Sequence, residues 1–132
     1  MRRLAIPGLL AAVFGGAMCL MASEETLVEL KERAAAARGS DRAKLFMEAA
    51  RKQIEVANQY YGEGSLQAAQ EAVAQAVQSA DQACTAARES RKRMKKTEIE
   101  ARKLSRRLAE IGRTLALADR PQVEAAVDHL EE

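Results

Sequence analysis

Aromatic residues are almost missing from this chain of 132 residues, which has no Trp, two Phe and two Tyr. A core built on large rings is therefore excluded, and so is the row of stacking platforms that single-stranded nucleic acid requires. Histidine is represented by His129 alone, with no cysteine nearby, so no multi-residue zinc set can form around it and it reads as a surface residue. The only cysteines are Cys19 and Cys84, which cannot supply a disulfide framework. Carboxylates such as Glu98 and Glu100 stand two apart and do not face one another on a helix, so they offer no acid and base pair. No residue set amounts to a catalytic, cofactor or metal site, and the expectation is a non-enzymatic protein without a cofactor.

What is abundant is alanine. Ala is the strongest helix former and is depleted in strands. Together with an apolar fraction of 48% and a charged fraction of 30%, this predicts an all-α fold: a small antiparallel bundle of four to five helices, packed through small side chains.

Residues 1–22 have a separate character. Arg2 and Arg3 give a short positive end, Leu9 to Ala22 carry no charge, and small residues lie at Ala17 and Ala22, the pattern of a secretory signal cleaved after Ala22. The expected address is periplasmic or secreted. An uncleaved membrane anchor is the weaker competitor, because Pro7, Gly8, Gly15 and Gly16 interrupt a run that is short for a span. Lipid attachment at Cys19 fits poorly, with bulky Met18 before it. The formal charge of +2 comes wholly from Arg2 and Arg3, so residues 23–132, one helical domain, are neutral.

Along that domain the periodicity predicts helices at about 24–38, 41–61, 65–93, 97–118 and 121–131. Ser23 with Glu24 and Glu25 opens the first, and Gly39 stops it. In the second, Phe46, Ala50, Ile54, Ala57 and Tyr61 share a face, flanked by Leu45, Ala49, Val56 and Tyr60, a stripe wide enough for two partners. The third carries a narrow stripe of small residues from Leu66 to Ala87 and would outrun the second, about 43 Å against about 31 Å, leaving an overhang at Arg88–Arg93. Thr97 with Glu100 reads as a capping box. The heptad seam that follows, Ala101, Leu104, Leu108, Ile111, Leu115 and Ala118, is short for a coiled coil and is read as intramolecular packing, a dimer contact being the alternative. Pro121 near Asp119 opens the last helix.

Between the second and third helices, Ala57, the Tyr60–Tyr61 pair, Gly64, Leu66, Ala69 and Ala76 resemble the inter-helix turn of a tetratricopeptide repeat, over one unit from about Lys44 to Val77. Gln53 and Val73 depart from its pattern, at positions where a large apolar residue and an aromatic are usual. A second stretch, Thr97 to Leu130, is too irregular to count as a repeat. The resemblance implies a helix-turn-helix hairpin with an interaction or scaffolding role, and the partner expected is another envelope protein. Tyr60, Tyr61 and Leu66 are the candidate protein contacts, although such a tyrosine pair more often packs the hairpin end.

The second candidate is electrostatic. Residues 88–113 hold eleven Lys or Arg against four Glu. Arg88, Arg91, Lys92, Arg93, Lys95, Lys96, Arg102, Lys103, Arg106 and Arg107 form a candidate site for an anionic surface, lipid or envelope polymer; the alternative is a solvated tip. Nucleic acid is not expected, since no aromatic is interleaved and no recognition motif is present. Cys84 falls on the apolar stripe and reads as a buried, inert thiol, or else as an intermolecular disulfide partner.

Overall fold

The computed structural model describes residues 27–132, and the expected signal, its cleavage point, Cys19 and the Ser23 helix start lie outside the described residues. Five α-helices, and no strand, are found among the described residues: α1 over 27–36, α2 Gly39–Glu63, α3 Leu66–Ser90, α4 Met94–Thr114 and α5 Arg120–Glu131, with a 3₁₀ turn at Leu117–Asp119. The fold is all-α, a packed helical bundle.

The frame is the α2–α3 hairpin. Its helices meet through alanine: Ala50, Ala57, Ala72, Ala76, Ala80 and Ala83 are buried along the crossing, and such small side chains let axes approach to about 8 Å. Where α4 lies across the pair, larger groups fill the space. Phe46, Met47 and Ile54 of α2 share one core with Leu104, Leu108 and Ile111 of α4 and Val123 of α5. Burying each such side chain contributes about 1.5–3 kcal/mol, so the stripe on α4 is what holds it to the hairpin. Leu115 is half-buried against this core and Ala118 is exposed, which ends the predicted seam one turn early.

The two turns of this frame are built differently. At one end α2 closes with Gly64 in the left-handed region (φ 79°), its N–H donating to Tyr61 O (3.2 Å) while Ser65 N–H donates to Tyr60 O (2.9 Å). This pair of bonds is the Schellman ending that glycine adopts without a steric cost. At the other end α3 stops at Ser90, and Arg91 (φ 56°) and Arg93 (φ 64°) make the left-handed corrections.

That second turn corrects two expectations. The third helix ends at Ser90 instead of Arg93, and both arms have 25 residues, so nothing overhangs. An ideal Cβ on Gly39 would lie 3.6 Å from the Ser90 Cβ, which places the start of α2 beside the end of α3. The capping box is also absent. α4 begins at Met94, three residues before Thr97, whose N–H already donates to Arg93 O (2.9 Å); Glu100 pairs with the Arg93 guanidinium (3.2 Å). The physical reason is that no Gly or Pro punctuates 88–100, so packing of the α4 stripe, not local chemistry, sets the turn.

From Thr114 the chain reverses again. Arg120 donates to Leu115 O (3.0 Å) and Arg113 O (3.3 Å), capping the open carbonyls of α4. α5 crosses α4 closely: a Cβ on Gly112 would lie 3.1 Å from Val123 Cγ1. It runs parallel to α3, with Gln122 Nε2 donating to Gln70 O (2.9 Å) near one end and His129 Nε2 2.9 Å from both Asp81 carboxylate oxygens near the other. α1 rests on the hairpin through buried Leu30 and Ala34.

Candidate functional site at the basic end

The turn 91–93 and the helix ends that meet there gather the cations. Three of the ten candidate basic residues have carboxylate partners. Arg93 pairs with Glu100 (3.2 Å), Arg102 with Glu98 (2.6 Å), and Arg107 with Glu55 (2.7 Å) and Glu110 (3.3 Å). The Arg107 pair is bidentate: its guanidinium holds the Glu55 carboxyl below the usual carboxylate range, against the upward push of burial, and Glu55 in turn raises Arg107. Arg107 is thus a structural tie from α4 to α2.

The other seven, Arg88, Arg91, Lys92, Lys95, Lys96, Lys103 and Arg106, are exposed and have no carboxylate within 4 Å among the described residues. Five of them sit within nine positions around the turn, from Arg88 to Lys96. Ser90 organises that turn, its hydroxyl donating to Ala87 O (3.2 Å) and accepting from Lys92 N–H (3.3 Å). No capping side chain and no acid occupies the first turn of α4. Its positive pole therefore adds to the cations instead of being neutralised.

The opposite end has another character. Tyr60 is half-buried and lines a groove of about 250 Å³ with Leu27, Val56 and Gln59. Tyr61 is packed elsewhere, its buried hydroxyl without a partner among the described residues, and burial, followed by the nearby Asp119 charge, pushes its pKa up. The two tyrosines therefore do not make one anchor. Leu66, 42% exposed, stands free at the start of α3.

Three features escaped the sequence reading. Gln53 is buried between the hairpin helices. The amide orientation that donates to Ser79 Oγ (2.9 Å) and Gln75 O (3.1 Å) and accepts from Lys31 Nζ (2.8 Å) ties α1 to both arms. His129 meets Asp81 across 48 positions, beyond any local pattern. Cys84 is only half-buried, a free thiol on the wall of a cleft between α3, α4 and α5; burial pushes its pKa up and disfavours the thiolate, partly opposed by Arg88.

Among the described residues no group of three or more His, Cys, Asp or Glu is placed to hold a metal ion, and no helix is long and apolar enough to cross a membrane. Compared with known protein families, curated proteins and solved structures, the chain matches none of them.

Proposed function

We propose that the chain is a non-catalytic helical interaction module of the cell envelope, carried there by residues 1–22, whose basic end docks on an anionic partner surface. The observation that carries this reading is the cluster of exposed cations around the turn 91–93 that have no carboxylate partner among the described residues. A solvated structural tip gains nothing from holding arginine at the left-handed position 91, where a non-glycine residue costs roughly 1–2 kcal/mol and no carboxylate among the described residues pairs with it. Charge retained at such a cost is accounted for by an anion outside the chain.

Co-sedimentation with vesicles tests it. Binding to vesicles rich in anionic lipid is expected at low salt, lost as salt rises, and absent on neutral vesicles. Each cation near such a surface contributes about 1 kcal/mol. Reversing Arg91, Lys92, Lys95 and Lys96 to Glu should then weaken binding by at least about 4 kcal/mol, near a thousandfold. Binding that ignores both salt and these reversals would sink the proposal.

A second reading is favoured by the groove beside Tyr60, whose lining mixes apolar Leu27 and Val56 with Glu63, Glu71 and three glutamines. This mixture suits a segment of another envelope protein, in keeping with the repeat-like hairpin. Cross-linking from a photoreactive residue at Gln59 should trap one protein reproducibly, and Tyr60→Ala should remove it. Failure to trap any discrete product counts against this second role.

A further inference from the structure

The amino end of α4 is electrostatically incomplete. Its N-cap, Arg93, makes no side-chain capping bond, and its first turn holds Lys95 and Lys96 with no acid. The N–H groups of Met94, Lys95 and Lys96 precede the first intrahelical donor, since Thr97 N–H is the one that reaches Arg93 O. Partial positive charge and full positive charges are thus concentrated at one place, an arrangement that lowers helix stability unless an anion sits against it.

A cleft of about 650 Å³ opens beside this helix end, between the last turns of α3 and α5 and the first turns of α4. That volume lies within the range of about 300–1,000 Å³ common to small-ligand sites. Thr97 lines it. The residue is 2% exposed, and its Oγ1 is buried with no hydrogen-bond partner among the described residues. A buried hydroxyl without a partner costs about 1–3 kcal/mol, so this atom independently marks a place for a polar ligand atom. Its apolar contacts come from Cys84, Ala87, Ala101 and Leu130, together with Met94, which is 49% exposed.

Three cations, Arg88, Lys95 and Arg102, and three carboxylates, Glu98, Glu131 and Glu132, line the cleft. Glu98 is held by Arg102 (2.6 Å), and Glu131 accepts from Ser105 (3.0 Å). Glu131 and Glu132 belong to the α5 side. Arg88 and Lys95, on the α3 and α4 side next to the open helix end, have no carboxylate within 4 Å among the described residues. One side therefore offers cations and free N–H groups, and the wall behind it offers apolar contact.

We propose that this cleft binds a single amphiphilic anion, with a phosphate or carboxylate head at the amino end of α4 between Lys95 and Arg88 and an apolar tail along Cys84 and Leu130. The inference deepens the reading of the basic end as an anion-docking surface and rests on it only for the sign of the ligand's charge.

Cys84 supplies the readout, because a tail in the cleft covers its thiol. The full chain is treated with a maleimide in the presence of decyl phosphate kept below its aggregation threshold, and modification at Cys84 is followed by peptide mass spectrometry. At ten times the dissociation constant the rate should fall about elevenfold. Lys95→Glu, an exposed substitution, should raise the concentration needed for protection at least about tenfold. Decanoate protecting in the same way supports the site and identifies a carboxylate as an accepted head. Equal protection by decanol, or by inorganic phosphate alone, overturns the inference, as does protection that grows with protein concentration without any amphiphile, which means that a second copy fills the cleft. Vesicle docking is measured on the same samples. Docking retained with Cys84 unprotected removes the cleft ligand and leaves the docking surface, whereas protection retained without docking does the reverse.

Discussion

The two ends of the α2–α3 hairpin solve one problem by opposite means. Each must stop a helix and reverse the chain through a left-handed residue. At one end this is Gly64, with no side chain to strain and open space where a Cβ would be. At the other it is Arg91 followed by Arg93, each strained in that conformation. The glycine end is encoded locally and needs nothing beyond its own four or five residues. The arginine end depends on α4 lying down across the hairpin, and it keeps charge where backbone preference alone would favour glycine.

The sharpest way to break this comparison is to loosen α4. Leu108 is fully buried in the shared core, and Leu108→Ala should cost about 2–5 kcal/mol in chemical denaturation. Hydrogen exchange then separates the ends. The Lys92 amide, bonded to Ser90 Oγ, should lose protection well before the Ser65 amide, bonded to Tyr60 O. Equal loss at both ends would show that the glycine turn also depends on α4.

Next in size is the glycine itself. Because a Cβ at Gly64 meets nothing within 4 Å, Gly64→Ala isolates the conformational term, and about 1 kcal/mol of stability should be lost with vesicle docking unchanged. The mirror experiment is Arg91→Gly. Stability should rise by about 0.5–1 kcal/mol once the extra freedom of glycine in the unfolded chain is subtracted. Docking on anionic vesicles should weaken by about 1 kcal/mol, roughly fivefold. A variant that gains stability without losing docking would remove the argument that the strain is retained for charge.

The same contrast explains what could be read from the sequence. The glycine turn was legible because its signal is chemical and local: Gly64 followed by Ser65, between two stripes of period 3.6. The α4 stripe was legible as well, and Ala101, Leu104, Leu108 and Ile111 are all buried where the seam put them. The start of α4 was not, since Thr97 and Glu100 carry the residue types of a capping box and only packing decides that the helix begins at Met94. Gln53 shows a similar failure. Read as a departure from an apolar position, it is buried all the same, because Ser79, Gln75 and Lys31 bring it partners from other helices. The cluster of cations was visible as composition. Which of them are paired, and the cleft beneath the end of α5, arise from contacts across up to 52 positions that no periodicity records.

The smallest effect separates structural cations from docking cations. Arg107 lies in the basic segment by sequence, yet it is committed to Glu55 through Nε (2.9 Å) and Nη2 (2.7 Å). The folded state holds the Glu55 carboxyl below its ordinary value of 4.5, with the Arg107 hydrogen bond as the main cause. A lowered folded value means that the contribution is present above the unfolded value and is lost as pH falls through the folded one. Both side chains are about half exposed, 41% and 53%, so solvent screening limits the tie to about 0.5 kcal/mol. Denaturation as a function of pH should show that small loss below about pH 4.5 in the parent chain and not in Glu55→Gln. The same substitution should leave vesicle docking at neutral pH unchanged, the reverse of Arg91→Gly. If Glu55→Gln instead strengthens docking, Arg107 belongs with the free cations, and the division between a charge that builds the fold and charges that face outward fails at this residue.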